Sequence, residues 1–154
     1  MAKCLSKYKR ALVTGGSGFL GRHLIESLLD SGIAVRSIDL NKPLWLDGRV
    51  EFYEGDFTAI KQVEHVLEDC DVIFHLAGDT STWKKEAQRQ YDINVNGTIN
   101  MCNVALEKKI PRFVLTSSSS AYGIHNTRIS EETASNALST GISYHETKYL
   151  AELE

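Results

Sequence analysis

Apolar and polar positions along the chain alternate between two periods. Residues 10–14 (RALVT) form a short β-branched and apolar run, and residues 19–30 then place Leu20, Leu24, Ile25, Leu28 and Leu29 on one helical face. Gly32 supplies a turn in SGIAVRSIDL, and a second strand runs on through Ile38. RVEFYEGD predicts a third strand, followed by a one-sided helix carrying Ile60, Val63 and Leu67. DVIFHLAG is a near-continuous apolar run, the pattern of a strand buried on both faces. A long helix is expected over about 84–108, interrupted near Gly97. RFVLTSS forms a fifth strand, and Tyr144 to Glu154 opens another helix. Strands alternating with helices predict βαβ units with right-handed crossovers, hence an α/β fold built on a doubly wound parallel sheet.

All five strands end in small or polar residues: Thr14-Gly15, Asp39, Gly55-Asp56, Ala77-Gly78 and Thr116 to Ser118. In a parallel sheet these ends share one edge, and ligands of such folds bind outside it. Turn chemistry could account for any one junction, but a sheet built for stability alone has no need of the pattern five times.

Composition narrows the partner. A chain of 154 residues fits one domain, and its 42% apolar and 24% charged residues are ordinary globular usage. Net charge is −3 with lysines and arginines scattered, which points away from nucleic acid and from an anionic membrane surface. Nothing approaches the ~20 apolar residues of a membrane span. The basic start MAKCLSKYKR is followed by too short an apolar run for a secretory signal, so a soluble, cytoplasmic protein is expected. Cys4, Cys70 and Cys102 lack metal-ligand spacing and are odd in number, so no zinc site or disulfide framework is expected. Cys70 and Cys102 are expected as small apolar fillers in helices.

The first junction carries the chemistry. Gly16, Gly18 and Gly21 satisfy G-x-G-x-x-G between a strand and a helix. Without Cβ atoms the turn is tight and its backbone can approach a pyrophosphate, while the helix N-terminus offers free N–H groups and partial positive charge. Asp39 ends the second strand eighteen residues past Gly21, placed to accept both ribose hydroxyl hydrogens of an adenosine. It would repel a 2′-phosphate, which favours NAD over NADP, and Arg36 precedes the strand end and is expected to point elsewhere.

The ordered motifs resemble those of the extended short-chain dehydrogenases/reductases, the group of NAD-dependent epimerases/dehydratases and 3β-hydroxysteroid dehydrogenase-like enzymes. TGGSGFLG resembles the family's TGxxGxxG, with glycines at 15, 18 and 21, and implies that Gly15, Gly16, Ser17, Gly18, Phe19, Leu20 and Gly21 bind the cofactor. GDF resembles the adenine-contacting segment, here Asp56 and Phe57; HLAG resembles the segment lining the cofactor, here Leu76, Ala77 and Gly78. NVNGT resembles the fourth-helix motif and assigns Asn94 to holding that helix and the site's water. SSSSAYG resembles the fifth-strand serine motif and YHETK the Y-x-x-x-K. The resemblance covers essentially the whole chain, implies a Rossmann-type sheet over 1–154, and implies a catalytic set of Ser118, Tyr144, Lys148 and Asn94 with NAD, a small-molecule substrate and a possible homodimer.

Residue chemistry agrees with that set. Tyr144 and Lys148 stand four apart on a helix and share a face. A free phenol is a poor base at neutral pH, but a cation about 4 Å away favours the phenolate by roughly 4 kcal/mol at an effective dielectric of 20. Tyr144 could then take a proton from a substrate hydroxyl as hydride leaves for the cofactor. Lys148 would also bond the nicotinamide ribose, and Ser118 would hold the substrate oxygen, with Ser117 and Ser119 as near alternatives. His75 is expected as a satisfied core histidine, and Trp83 either lines a substrate pocket or packs in an ordinary way.

Two departures from the family restrict the function. Sugar-nucleotide dehydratases commonly carry Thr-Asp-Glu where this chain has Ser-Ser-Ser, so elimination chemistry is disfavoured. The chain also ends six residues after Lys148, whereas members of the family run longer and add a substrate lobe. The expectation is an incomplete, C-terminally truncated cofactor domain with uncovered apolar surface. Three functions remain open: an NAD-dependent oxidoreductase of a steroid-like or sugar-like secondary alcohol or ketone, a nucleotide-sugar epimerase with retained NAD, and a non-catalytic NAD-binding module.

Overall fold

The computed structural model describes residues 7–46, 48–81 and 83–154. Cys4 lies outside the described residues. The chain divides into two compact units, residues 1–77 with 100–116, and residues 78–99 with 117–154.

The first unit holds the sheet. Strands β1 (Arg10–Thr14), β2 (Ala34–Asp39), β3 (Val50–Glu54), β4 (Val72–His75) and β5 (Phe113–Leu115) are all parallel, in the order β3-β2-β1-β4-β5. Strand alternation sorts the apolar residues onto two faces. On one face Ala11, Val13, Val35 and Val72 pack with Ile25 and Leu28 of α1 (Phe19–Asp30). On the other, Leu12, Ile38 and Ile73 pack with Val63 and Val66 of α2 (Ile60–Val66) and with Met101, Val104 and Ala105. This is the doubly wound Rossmann-type sheet expected from the sequence. The fifth strand is shorter than RFVLTSS suggested, and Val114 on it is exposed, as is Leu106.

Arg36 is an unusual occupant of a central strand, only 7% exposed. Its guanidinium donates to the Glu51 carboxylate at 2.9 Å and to the carbonyls of Val66 (2.9 Å) and Glu68 (2.7 Å). It therefore satisfies carbonyls that the end of α2 leaves without intrahelical partners. Cys70 is not in a helix: it sits in the loop before β4, buried, its thiol pushed up to about 11 by desolvation. Neither of the described cysteines, Cys70 and Cys102, is in a disulfide, and no metal-binding cluster occurs among the described residues. Among those residues no helix is long and apolar enough to cross a membrane.

The stretch expected as one long helix is segmented. A 3₁₀ turn (Lys84–Glu86) leads into α3 (Ala87–Tyr91), a π turn (Asp92–Asn96) and α4 (Gly97–Glu107), so the irregularity falls just before Gly97. π turns are rare and often mark functional positions. The second unit also contains 3₁₀ turns at Ser119–Tyr122 and Ala137–Ser139, and α5 (Ser143–Glu152). Trp83 packs in no core; its side chain is 74% exposed, and Leu153 beyond α5 is also exposed.

Candidate functional site

The turn after β1 occupies the point where strand order reverses, between β1 and β4. Gly15 has φ +71°, a region costly for other residues, and a Cβ there would stand 2.8 Å from the Ala77 nitrogen. A Cβ on Gly16 would fall on the Ser37 hydroxyl, and one on Gly21 would fall on the Gly15–Gly16 backbone. Strand and helix thus meet through three glycines. Gly18 differs: its backbone (φ −74°, ψ 172°) suits any residue, and its Cβ would meet only the Gly15 carbonyl oxygen at 3.3 Å.

Gly18 is also the N-cap of α1, and no side chain caps the helix. The first i→i−4 bond of the helix is Arg22 N–H to the Gly18 carbonyl, so the N–H groups of Phe19, Leu20 and Gly21 precede it. Phe19 and Leu20 carry exposed side chains beside them. Ser17 N–H and Leu40 N–H donate to the two Asp39 carboxylate oxygens at 2.9 and 2.8 Å, and Ser17 Oγ donates to the Asn41 carbonyl. Each carboxylate oxygen keeps a further lone pair. Arg36 points away, as expected. The Thr14 hydroxyl accepts from Ala77 N–H at 3.1 Å and bonds His75 Nδ1 at 2.7 Å. His75 is the satisfied core histidine expected from its place in β4, 1% exposed.

Asp56 is exposed after β3; its carboxylate accepts from Thr58 N–H and hydroxyl, and its N–H donates to Gln62. Phe57 is half-buried with its ring edge-on to His75 at 5.0 Å, and Leu76 packs against the apolar cluster under α1. An open cavity of about 510 Å³ lies beside this junction, lined by Leu40, Tyr53, Asp56, Gln62 and His65 among others, and by none of the four glycines.

Gly78, Asn94, Ser118, Tyr144 and Lys148 all belong to the second unit. Asn94, 4% exposed, accepts from Asp79 N–H (2.7 Å) and donates to the Asp79 carbonyl (2.9 Å) and to the Thr147 hydroxyl (3.1 Å). Its own carbonyl accepts from Thr98 Oγ1 at 2.7 Å, and Gly78 is the residue that leaves room beside its amide oxygen. Ser118 Oγ caps the following 3₁₀ turn by accepting from Ser120 N–H; Ser119 is exposed, and the Ser117 hydroxyl is buried without a hydrogen-bond partner. Tyr144 is half-buried on α5. Lys148, one turn on, is 8% exposed, and desolvation lowers its pKa from a lysine's ordinary 10.5, opposed by the Glu152 charge.

Sequence reasoning passed over Gln90. It is fully buried; its amide nitrogen donates to the carbonyls of Asp79 and Ser81, and its amide oxygen accepts from Ser143 Oγ at 2.7 Å. The available signal was Gln90 lying four residues before Asn94, matched by Ser143 four before Thr147.

Residues 11–154 match the model of the NAD dependent epimerase/dehydratase family. The chain belongs to that family. A 3 beta-hydroxysteroid dehydrogenase/Delta 5→4-isomerase of Mycobacterium tuberculosis is 35% identical over 160 residues, covering 98% of this chain and 43% of the relative. A UDP-glucose 4-epimerase structure superposes with TM-score 0.85 at 27% identity, over 94% of this chain and 46% of the other. A short-chain dehydrogenase/reductase superfamily protein from Agrobacterium tumefaciens, solved with bound NAD, gives TM-score 0.84 at 25% identity, over 94% and 43%. This member of the epimerase/dehydratase family thus spans less than half the length of each of these three relatives.

Proposed function

We propose that this chain is the cofactor-carrying part of an NAD-dependent oxidoreductase that acts on a secondary alcohol or ketone of steroid type. The observation that carries the reading is the free side of the glycine turn. Packing within the fold accounts for Gly15, Gly16 and Gly21, whereas Gly18 sits at an uncapped helix N-terminus with little against it. A diphosphate fits that place: it needs close backbone approach, N–H donors and positive potential. Asp39, its oxygens each with a spare lone pair, takes the adenosine ribose hydroxyls and disfavours a 2′-phosphate, so NAD is the cofactor. Asp56, Phe57, Leu76, Ala77 and Gly78 complete the adenine and ribose contacts.

NAD, when bound, supplies hydride acceptance and return. Tyr144 removes the proton from the substrate hydroxyl in oxidation and gives it back in reduction. The buried Lys148 ammonium favours the phenolate and bonds the cofactor ribose. Ser118 donates to the substrate oxygen; its oxygen already accepts from Ser120 N–H, so its hydrogen is left to give. Asn94 holds the loop at Asp79 and the helix at Thr147 in fixed relation. Steroid chemistry is favoured by the 35% identity to the mycobacterial 3 beta-hydroxysteroid dehydrogenase/Delta 5→4-isomerase. A second reading, nucleotide-sugar epimerisation with retained NAD, draws on the UDP-glucose 4-epimerase structure. Cytoplasmic location and assembly as a homodimer belong to the same reading.

Fluorescence titration with NADH tests the binding half: saturable binding is expected, and a folded protein that binds none overturns the proposal. NADH formed from NAD and a 3β-hydroxysteroid panel supports the oxidoreductase. UDP-sugar conversion without net NADH supports the epimerase. Turnover that survives Tyr144→Phe would remove that residue's role.

A further inference from the structure

We infer that Gln90 is a positioning residue that sets the rotation of α5 about its own axis, and with it the direction of the Tyr144 phenol. Two polar rungs join residues 87–96 to α5. Ser143 Oγ donates to the Gln90 amide oxygen at 2.7 Å, and the Asn94 amide donates to Thr147 Oγ1 at 3.1 Å. Gln90 and Asn94 are four apart, as are Ser143 and Thr147, so each pair presents one helix face to the other. Tyr144 and Lys148 follow the two α5 rungs by one residue, about 100° further round the helix.

The rungs have different anchors. Both amides grip the 79–81 loop, but Gln90 uses both of its N–H groups there, on the Asp79 and Ser81 carbonyls. Its oxygen is thereby aimed at Ser143, the residue directly before Tyr144. A carboxamide tied at three points in a buried site has one orientation, whereas an apolar side chain of the same size would fill the space without fixing the angle. At the start of α5 Ile142 occupies the N-cap and makes no side-chain cap bond, so the Gln90–Ser143 bond is a side-chain tie placed at the helix's first turn.

The catalytic meaning of the inference rests on the proton-transfer reading of Tyr144; the geometric claim does not. The test is fluorine NMR of the protein labelled with 3-fluorotyrosine, the Tyr144 signal assigned by its absence in Tyr144→Phe. In Gln90→Leu and in Ser143→Ala that signal is expected to move by more than its linewidth while the signals of the first unit's tyrosines stay. Ser143→Thr, which keeps the hydroxyl, is expected to leave it in place. Where the protein turns over a steroid with NAD, kcat falls roughly tenfold in either variant, as expected for a small misplacement of a catalytic group. The KM for NAD holds, and the double variant is no worse than the worse single one, because both act on one bond. A Tyr144 signal that stays put in both variants while the melting temperature falls makes Gln90 merely structural and overturns the inference. Should Gln90→Leu not fold, Ser143→Ala decides alone. If the wild-type protein binds no NADH, the functional proposal fails while the fluorine spectra still decide the positioning.

Discussion

Substituting alanine at Gly15 and at Gly18 separates what the glycine turn does for the fold from what it does for a ligand. At Gly15 an alanine must hold φ +71°, which costs about 1–2 kcal/mol for an L-residue. Its Cβ must also stand 2.8 Å from the Ala77 nitrogen, an overlap that forces backbone movement and costs typically ~1–3 kcal/mol. The sum, about 2–5 kcal/mol, lowers the melting temperature by on the order of 10 °C in a chain of this size. At Gly18 neither term arises. The backbone is already in a region open to any residue, and the lower chain entropy of alanine in the unfolded state returns about 0.4–1 kcal/mol. The 3.3 Å approach to the Gly15 carbonyl and the poorer N-cap cost a similar amount, so stability should stay within about 1 kcal/mol of wild type. The methyl group, however, stands where a diphosphate would approach the backbone. Thermal melting followed by circular dichroism, with NADH titration of each folded variant, reads both quantities. Gly18→Ala is expected to melt like wild type and to bind NADH at least tenfold more weakly. A Gly18→Ala protein with undiminished NADH affinity would refute the diphosphate reading, and a Gly15→Ala protein as stable as wild type would refute the packing argument.

Lys148→Met removes a buried ammonium, so at neutral pH the variant should be more stable by roughly 0.5–2 kcal/mol and unable to turn over substrate. Because burial lowers the Lys148 pKa, the unfolded chain binds more protons between the folded value and 10.5. Wild-type stability therefore rises with pH across that window, and the advantage of Lys148→Met shrinks; an advantage constant up to pH 10.5 in denaturant titrations would contradict the buried-charge account. Arg36→Leu takes the guanidinium donor from the half-exposed Glu51 and from the carbonyls of Val66 and Glu68 and should cost about 1–3 kcal/mol, read from urea midpoints; a loss under ~0.5 kcal/mol would show that water replaces it freely. Asp39→Asn keeps acceptance at one oxygen but abolishes charge, and should narrow the preference for NADH over NADPH by tenfold or more in paired titrations; an unchanged ratio would remove Asp39 from cofactor selection.

The sheet was legible because its signals are local. The β1 run, the glycine turn and the α1 stripe stand in sequence order, and strand alternation alone sends Leu12 to one face and Ala11 and Val13 to the other. The place of Asp39, at the end of β2 and bonded to the glycine turn through Ser17 N–H, was legible from its distance past Gly21. Two of the misses share a cause, that a residue's worth depended on a partner far along the chain. Arg36 in mid-strand gave no hint of capping α2, because the carbonyls it serves lie thirty and thirty-two residues away. Gln90 is fifty-three residues from Ser143, and a glutamine in a helix is ordinarily a solvated residue. The π turn before Gly97 was visible only as an interruption, since a polar run with valine inside it does not tell an extra residue from a kink. Cys70 was assigned to a helix that ends earlier, at Val66.

The two units are held by different physics, and this decides how each responds to change. In the first unit buried residues are mostly aliphatic and divided between two faces of a sheet, so stability there follows apolar area and tolerates volume-conserving exchange. In the second unit the buried hydrophobic residues are Val95, Ala121, Ala137 and Ala151, while Gln90, Asn94, Thr98, Thr147 and Lys148 are buried alongside them. Alanines contribute little area, so directional bonds among amides, hydroxyls and the 79–81 loop must fix that geometry. Apolar contacts are forgiving of angle and hydrogen bonds are not. If Tyr144 and Lys148 act as proposed above, a unit that must aim a phenol and an ammonium gains more from the second kind of interaction than from the first. Substitutions of matched volume should therefore be nearly silent at Val13 or Ile73 and damaging at Gln90 or Thr147, with the damage appearing in the direction of Tyr144 before it appears in the melting temperature.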